Sequence, residues 1–534
     1  MQTDKNLKAL NPTAMIAPVV SAIFLLGGAL LGLVVPPVYA WGGLLAVLLG
    51  CSLIGRPAAA LLAVFIWWMF QPIIMSYSNN ILTQYMDEFS FLLFAGVLMF
   101  SSVWRRERRL QKIEITWMKR AIVVLVATIL FSLLFTGVEL RRLTHFIKSY
   151  MMFPLIFSFA LQYLRPERVV KNLVIFIFGY FLFQLALNMG WLLRVNPIRN
   201  LRWSPSDFSI GTLGACNMVA YFSIMLFYFC YAGINQSKNQ KIRVLSMLFM
   251  PILLFQIFIT YTAHAYVLLA VGVAQFYLLF FKNIKNKALP VIIAIFVIAA
   301  FALFEVNANF SKSGSTFSVN FVESGGLKRR WESIIEGPKG AFYKDAFWRI
   351  PNEQAHRWLI GTGPGQYMTA PALMKPSEVT FKYLGDWYFT FSGQEQLRAG
   401  SMITNPINGF CALFGELGIA GFCAYLFLFI FPVVHVYRNC QNERYSDVLQ
   451  RCLAQSFVPA MTMFLFLAAL YDAWDDMFFI IFLWVWAALV WEPIKFDDQG
   501  SAPGEQGLSP TTQQRTTNNR TPVNRWARQG AARR

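Results

Sequence analysis

The chain has 534 residues, of which 57% are hydrophobic and only 14% charged. Its mean hydropathy is +0.49. Soluble domains carry about a quarter charged residues, so this composition excludes a soluble enzyme and a disordered protein and fits a polytopic membrane protein. The formal net charge is +19, from 46 Lys and Arg against 27 Asp and Glu. In a membrane protein such an excess belongs to cytoplasmic loops facing anionic lipid. Nucleic acid is not expected as a partner, because no folded basic domain is visible.

A span needs roughly 20 mostly apolar residues, and about fourteen such runs are read along the chain. Their limits are 15–35, 38–54, 57–76, 90–103, 121–138, 149–163, 172–193, 209–233, 245–262, 264–281, 289–305, 408–434, 452–471 and 476–491. The fold class expected is an all-α polytopic membrane protein with one large outer loop. Residues 1–304 hold the first eleven helices, 305–407 the loop, 408–492 the last three helices and 493–534 a disordered basic tail. The ninth and tenth runs are split only by Thr262-Ala263-His264, a tight hairpin or a broken helix. The first run lacks a cleavage site, so no signal peptide is read.

Basic residues alternate along these runs. Arg105, Arg106, Arg108, Arg109, Lys112, Lys119 and Arg120 precede the fifth run. Arg165, Arg168 and Lys171 follow the sixth, Lys238, Lys241 and Arg243 the eighth, and Lys282, Lys285 and Lys287 the tenth. Arg438, Arg444 and Arg451 follow the twelfth. All fall on one side, so the positive-inside rule puts both termini in the cytoplasm. The loop 305–407 then faces outward. About a hundred residues containing Trp331, Trp348, Trp358 and Trp387 make a folded lid, not a linker.

The seven cysteines form no CxxC pair or even extracellular set, so neither a disulfide framework nor a zinc site is expected. HExxH and D-x-D patterns are absent, and no metal or other cofactor is expected. The outer loops nevertheless carry cations against the topology signal. Arg141, Arg142 and Lys148 flank His145, and Arg194, Arg199 and Arg202 precede Trp203. The large loop adds Lys328, Arg329, Arg330, Arg349 and Arg357. Arg suits a diphosphate, because its planar fork binds two oxygens at once and keeps its proton. The competing reading of each is interfacial snorkelling.

His264 stands at membrane depth in a turn, where a polar group is costly without a partner. Asp472, Asp475 and Asp476 gather at the last outer hairpin. Gly361-Thr-Gly-Pro-Gly-Gln-Tyr367 has the look of a phosphate loop, without the trailing Lys or the strand-to-helix context. Asn405 and Asn408 stand at the mouth of the next run, and Glu416 lies two turns in, facing a helix neighbour or the site.

Three segments resemble the O-antigen ligase and polymerase superfamily of bacterial envelope polysaccharide synthesis. One is the turn Trp358-Leu-Ile-Gly-Thr-Gly-Pro-Gly-Gln-Tyr367. A second is the stretch from Asn408 with Glu416, Gly418 and Gly421 in the family's spacing. The third is the Gly-led start of a span, Gly211 to Tyr221, holding Asn217. Two positions depart from the ligase pattern: Ile407 stands where the family has His, and Thr262-Ala263-His264-Ala265 lacks the Arg of its outer turn. Arg330-Trp331 resembles the family's Arg at the start of the loop helix. Arg349 and Gly365 have fifteen residues between them, similar to an Arg–Gly spacing of polymerases.

The resemblance implies a glycosyltransferase of the bacterial inner membrane, with its site on the periplasmic face. It implies an undecaprenyl-diphosphate-linked glycan as donor and a second glycan as acceptor. A flippase and a chain-length regulator are the implied neighbours. The expected catalytic residues are Arg330, Arg349 and Arg357 for charge on the leaving diphosphate, and His264 or Glu395 as the base, with His356 a further choice. Arg141, Arg199, Arg202, Asn217, Gly363, Gly365, Asn408 and Glu416 are the expected substrate-binding residues. Polymerase is the first reading. Transfer to lipid A–core or another acceptor, as in a ligase, is the second, and transport of a polysaccharide or lipid is the third.

Overall fold

The computed structural model describes residues 65–66, 68–69, 116–164, 167–192, 213, 216–237, 239–260, 262–280, 342–369, 372–373, 376–387, 409–470 and 477–492. The expected runs 15–35, 38–54, 90–103 and 289–305, nearly all of 57–76, and the tail 493–534 lie outside these. Among the described residues the regular structure is helical, in chain order α1 (Thr116–Thr136), α2 (Leu140–Met151), α3 (Phe153–Tyr163), α4 (Glu167–Leu192), α5 (Cys216–Gln236), α6 (Gln240–Ile259) and α7 (Ala263–Phe280). A π-turn over Asp345–Arg349 leads into α8 (Ile350–Glu353) and α9 (Ala355–Ile360). Then come α10 (Glu378–Trp387), α11 (Gly409–Gln441), α12 (Val448–Leu470) and α13 (Met477–Val490). Six of them, α1, α4, α5, α6, α11 and α12, are long and apolar enough to cross a membrane. α7 and α13 are shorter apolar helices.

Two expectations change. The run 149–163 is not one helix: α2 ends at Met151 and α3 starts at Phe153. Pro154 sits in the first turn of α3, where its missing N–H costs nothing, and a continuous helix would have lost that bond. Arg141, Arg142, His145 and Lys148 accordingly lie on an amphipathic helix, not a short loop. Its apolar residues Leu140, Leu143, Phe146, Ile147 and Tyr150 recur at helical spacing. The ninth and tenth runs are separate helices, but Ala263 and His264 belong to the second of them and not to the turn. α6 ends at Ile259 and α7 begins at Ala263, and the Thr262 carbonyl accepts from Ala265 N at 3.0 Å.

The centre is α5, whose side chains are buried on nearly every face, as an all-round apolar helix requires. α6, α7 and α12 pack against it. α12 in turn packs on α11 and α13, α11 on α1, and α13 on α3. Where α3, α11 and α13 meet, Trp484 stacks on Phe153 at 4.7 Å and takes Phe429 edge-on at 5.1 Å. Trp491 holds Phe157 at 5.1 Å and stacks on His435 at 4.2 Å. Each such pair adds about 1 kcal/mol beyond its burial. In lipid, where burial alone does not hold helices together, this packing does.

One end of the bundle is a polar latch. The last carbonyls of a helix lack intrahelical donors, and here α11, α12 and the turn between them supply them to α13. Gln450 Nε2 donates to Leu489 O at 3.1 Å and Glu492 O at 2.7 Å, and the Tyr445 hydroxyl donates to Val490 O. Trp491 O accepts from Asn439 Nδ2 at 3.1 Å. Gln441 reaches across to Leu279 O at 2.8 Å. Tyr231 packs on Phe276 at 5.2 Å, so the ends of α5, α7 and α11 lie together. The Gln450→Leu and Tyr445→Phe substitutions are each expected to cost about 1–2 kcal/mol. They should lower the thermal midpoint in detergent by a few degrees; unchanged midpoints would show that the latch contributes nothing.

Candidate functional site

At the opposite end of α11, two motifs far apart in sequence become one unit. α11 breaks at Gly418, whose backbone is at φ 63 and ψ −171. Just before the break, Gly415 O accepts from Thr362 N at 2.8 Å, and Glu416 O accepts from Gly363 N at 3.0 Å. Thr362 Oγ1 also reaches Gly415 O at 3.1 Å. The Gly361-to-Tyr367 segment thus lies along the broken helix and satisfies its backbone, as irregular backbone near a membrane demands.

The segment turns tightly over Gly363-Pro-Gly-Gln366. Gln366 N donates to Gly363 O at 3.2 Å, and Gly365 stands at φ +72. Pro at the second position and Gly at the third suit this turn. The turn's N–H groups then converge on the Glu416 carboxylate. Tyr367 N, Met368 N and Thr369 N donate to one oxygen at 3.0, 3.1 and 2.9 Å, joined by Thr369 Oγ1 at 2.6 Å. Gly365 N donates to the other. The segment does cradle an anion in backbone amides, as its phosphate-loop look suggested, but the anion is the chain's own fully buried carboxylate. Glu416 faces neither a helix neighbour nor an open site.

Around this clasp stand the cations. Gln366 Nε2 ties the turn to the end of α1 at Thr136 O, 3.1 Å away. Ser377 and Thr380 cap α10 reciprocally, with Thr380 N donating to Ser377 Oγ at 3.0 Å and Ser377 N to Thr380 Oγ1 at 3.1 Å. Both hydroxyls also donate to Gln366 O, each at 2.7 Å. α10 therefore presents Tyr383, whose ring meets Tyr367 edge-on at 5.8 Å. The Arg349 guanidinium lies 5.6 Å over the Tyr383 ring, and Arg357 Nη1 donates to its hydroxyl at 3.2 Å. Glu353 binds Arg357 at 2.7 Å and Lys382 at 2.8 Å. Arg142 reaches Pro376 O at 3.3 Å, with Gly365 close against its Cβ.

The electrostatics match this arrangement. Burial pushes the Glu353 carboxyl up, but hydrogen bonds from Lys382 and Tyr383 and the charges of Lys382 and Arg357 outweigh it and hold it below the usual range. Burial raises Asp345 despite the neighbouring Arg349. Burial and then Glu353 push the Tyr383 phenol up, so it stays protonated. Arg349 is 57% exposed, and its ion pair with Asp345 is a long one, 3.6 Å. Arg357 Nε and Arg142 Nε are buried donors with no hydrogen-bond partner among the described residues.

Of the residues singled out from the sequence, the structure gathers Arg349 and Arg357 in one cluster and Gly363, Gly365 and Glu416 in one clasp. His356 stacks on Phe135 at 5.6 Å. Arg141 lies in the first turn of α2, His264 in the first turn of α7, and Asn217 at the start of α5, where its Oδ1 accepts from Met218 N at 3.0 Å. Arg199, Arg202, Arg330, Glu395, Asn408 and the Asp472–Asp476 cluster lie outside the described residues. Sequence reasoning missed Glu353, Lys382, Tyr383 and Thr369. The spacing of Glu353 and Arg357, four apart, was a usable signal; the Tyr383 contacts had none. No family model matches the chain, and no curated protein is significantly similar to it.

Proposed function

We propose that the protein is an inner-membrane glycosyltransferase that polymerises undecaprenyl-diphosphate-linked oligosaccharide on the periplasmic face. The observation that carries this reading is the clasp. The two segments that most resemble the O-antigen ligase and polymerase superfamily, 51 residues apart at Gly365 and Glu416, are hydrogen-bonded into one unit. Arg349 and Arg357 converge on Tyr383 at its flank. The basic turn Arg438–Arg451 and the basic start of α6 belong to the opposite end of the bundle, which supports a cytoplasmic latch and an outward-facing clasp.

In this reading a hydroxyl oxygen of the acceptor glycan attacks the donor's anomeric carbon. The bond from that carbon to the diphosphate oxygen breaks, and lipid diphosphate leaves with the electron pair. Arg349 and Arg357, with Lys382 nearby, stabilise the charge that develops on it; fixed cations in a low-dielectric site cost no reorganisation at that moment. The hydroxyl proton goes to a base, for which His264 is the first choice and Glu395 and His356 the others. Glu416 is a positioning residue, because both its carboxylate oxygens accept from the turn.

The test uses the full chain in nanodiscs with a synthetic undecaprenyl-diphosphate oligosaccharide, without added nucleotide or metal. A product ladder from that single substrate is expected. Arg349→Ala should reduce it by about a hundredfold, while stability changes by less than about 0.5 kcal/mol at this exposed site. Arg349→Lys should restore little, since an ammonium lacks the fork. Transfer only after addition of lipid A–core would replace polymerase by ligase. Full activity in Arg349→Ala would remove that residue from the mechanism, and no transfer to any acceptor would sink the transferase reading.

A further inference from the structure

α9 has two unlike sides. Ile360 is buried, and its amide lies against Gly418: a Cβ on that glycine would come within 2.5 Å of Ile360 N and 2.4 Å of the Leu359 carbonyl carbon. The helix is therefore fixed beside α11 nine residues past its first residue, Gly409, on a helix long and apolar enough to cross a membrane. Arg357 turns to Glu353 and Tyr383. The remaining side carries Trp358, 55% exposed, and Leu359, 51% exposed. His356 stacks on Phe135 at 5.6 Å, which brings α9 onto the end of α1. There Leu130, Phe131, Leu134 and Phe135 are 57–79% exposed, on another helix of membrane-crossing length.

We propose that α9 is a shallow membrane anchor, with Trp358 and Leu359 inserted among the phospholipids of the leaflet that receives the C-terminal end of α1. Their helix lies against the end of α1, whose exposed apolar side chains require lipid. A water-facing patch of this kind marks an interaction site in any protein. Here the end of a helix of membrane-crossing length lies beside it, and Trp is the side chain that settles at a membrane interface. A sugar platform is the less suited occupant, because Leu359 and the α1 side chains offer a glycan no polar partner. The anchor stands apart from the transferase reading. Its consequence, which does rest on that reading, is that Arg357 is held at the depth of a lipid phosphate.

The experiment places the photo-crosslinker p-benzoylphenylalanine at Trp358, and separately at Leu359, in the full chain in phosphatidylcholine–phosphatidylglycerol nanodiscs with a soluble oligosaccharide added. The same substitution at Phe135 is the lipid reference, and at Lys382, 51% exposed, the water reference. After irradiation, intact mass is read. Phospholipid adducts at 358 and 359 should approach the yield at 135 and exceed that at 382 several-fold. Using both positions keeps the answer clear if one variant fails to fold. Lipid adducts at 135 but neither at 358 nor at 359 overturn the proposal. So do adducts to the oligosaccharide or crosslinks to another part of the chain in place of lipid, equal yields at 382, or no lipid adduct at 135.

Discussion

Replacing Glu416 by Ala is expected to free the Gly361–Thr369 segment from α11 while leaving the helix bundle assembled. The carboxylate accepts from four backbone N–H groups and one hydroxyl, all in a buried setting. Removing it orphans those donors together, and an uncompensated buried group costs far more than the hydrogen bond it lost. The local cost should be about 3–5 kcal/mol, as for breaking a buried charged network from one side. Hydrogen exchange reads this directly. The amides of Tyr367, Met368 and Thr369 should speed up by roughly two to three decades, while those of α5 stay protected. Glu416→Gln keeps the shape but turns an NH2 toward N–H donors, so its effect should be intermediate. Thr369→Val removes one donor and should cost about 1 kcal/mol. Unchanged exchange at 365–369 in Glu416→Ala would show that the glycine contacts hold the segment alone, and activity in that variant would remove the clasp from the proposed mechanism.

How much of this could be read from the chain depends on the range of the force involved. Hydropathy is local, so eight expected runs match α1, α4, α5, α6, α7, α11, α12 and α13 within a few residues at most ends. The sixth run, 149–163, failed because averaging over an apolar window hides a single Pro154 and the polar face of α2. That face was visible in the spacing of Arg141, His145 and Lys148, but charge read only as a side of the membrane could not say helix. Glu416 shows the other limit. Its position in a motif was plain, yet its partners lie 47 to 51 residues back, and nothing at 365–369 states that their amides point inward. Arg349 and Arg357 were chosen for their charge. That they meet at Tyr383 follows from the Ser377–Thr380 cap, which sets the direction of α10 and is itself a local signal of two hydroxyls three residues apart.

The clasp also makes a steric demand that separates close approach from backbone strain. Gly361 stands at φ +72 and ψ −161, a region open in practice to glycine alone. A Cβ there would lie 2.3 Å from the Glu416 carbonyl carbon and 2.6 Å from Gly418 N, and backbone cannot rotate aside as a side chain does. Gly361→Ala and Gly418→Ala press on the same contact from its two faces. Each must pull the turn off the helix and break Thr362 N to Gly415 O and Gly363 N to Glu416 O. Strain and overpacking together should cost about 4 kcal/mol. Gly137 is the control: it too has positive φ, +61, but an added Cβ meets nothing within 4 Å. Gly137→Ala should cost only the conformational penalty, about 1 kcal/mol, and Gly137→Asn less, since Asn tolerates that region. Thermal midpoints and proteolysis of the 361–369 segment in detergent would sort the four variants. If Gly361→Ala behaves like Gly137→Ala, the turn does not lie against α11. If Gly361 and Gly418 fail alike and the double variant costs no more than either, the two glycines serve one contact, as residues sharing a single steric gap should.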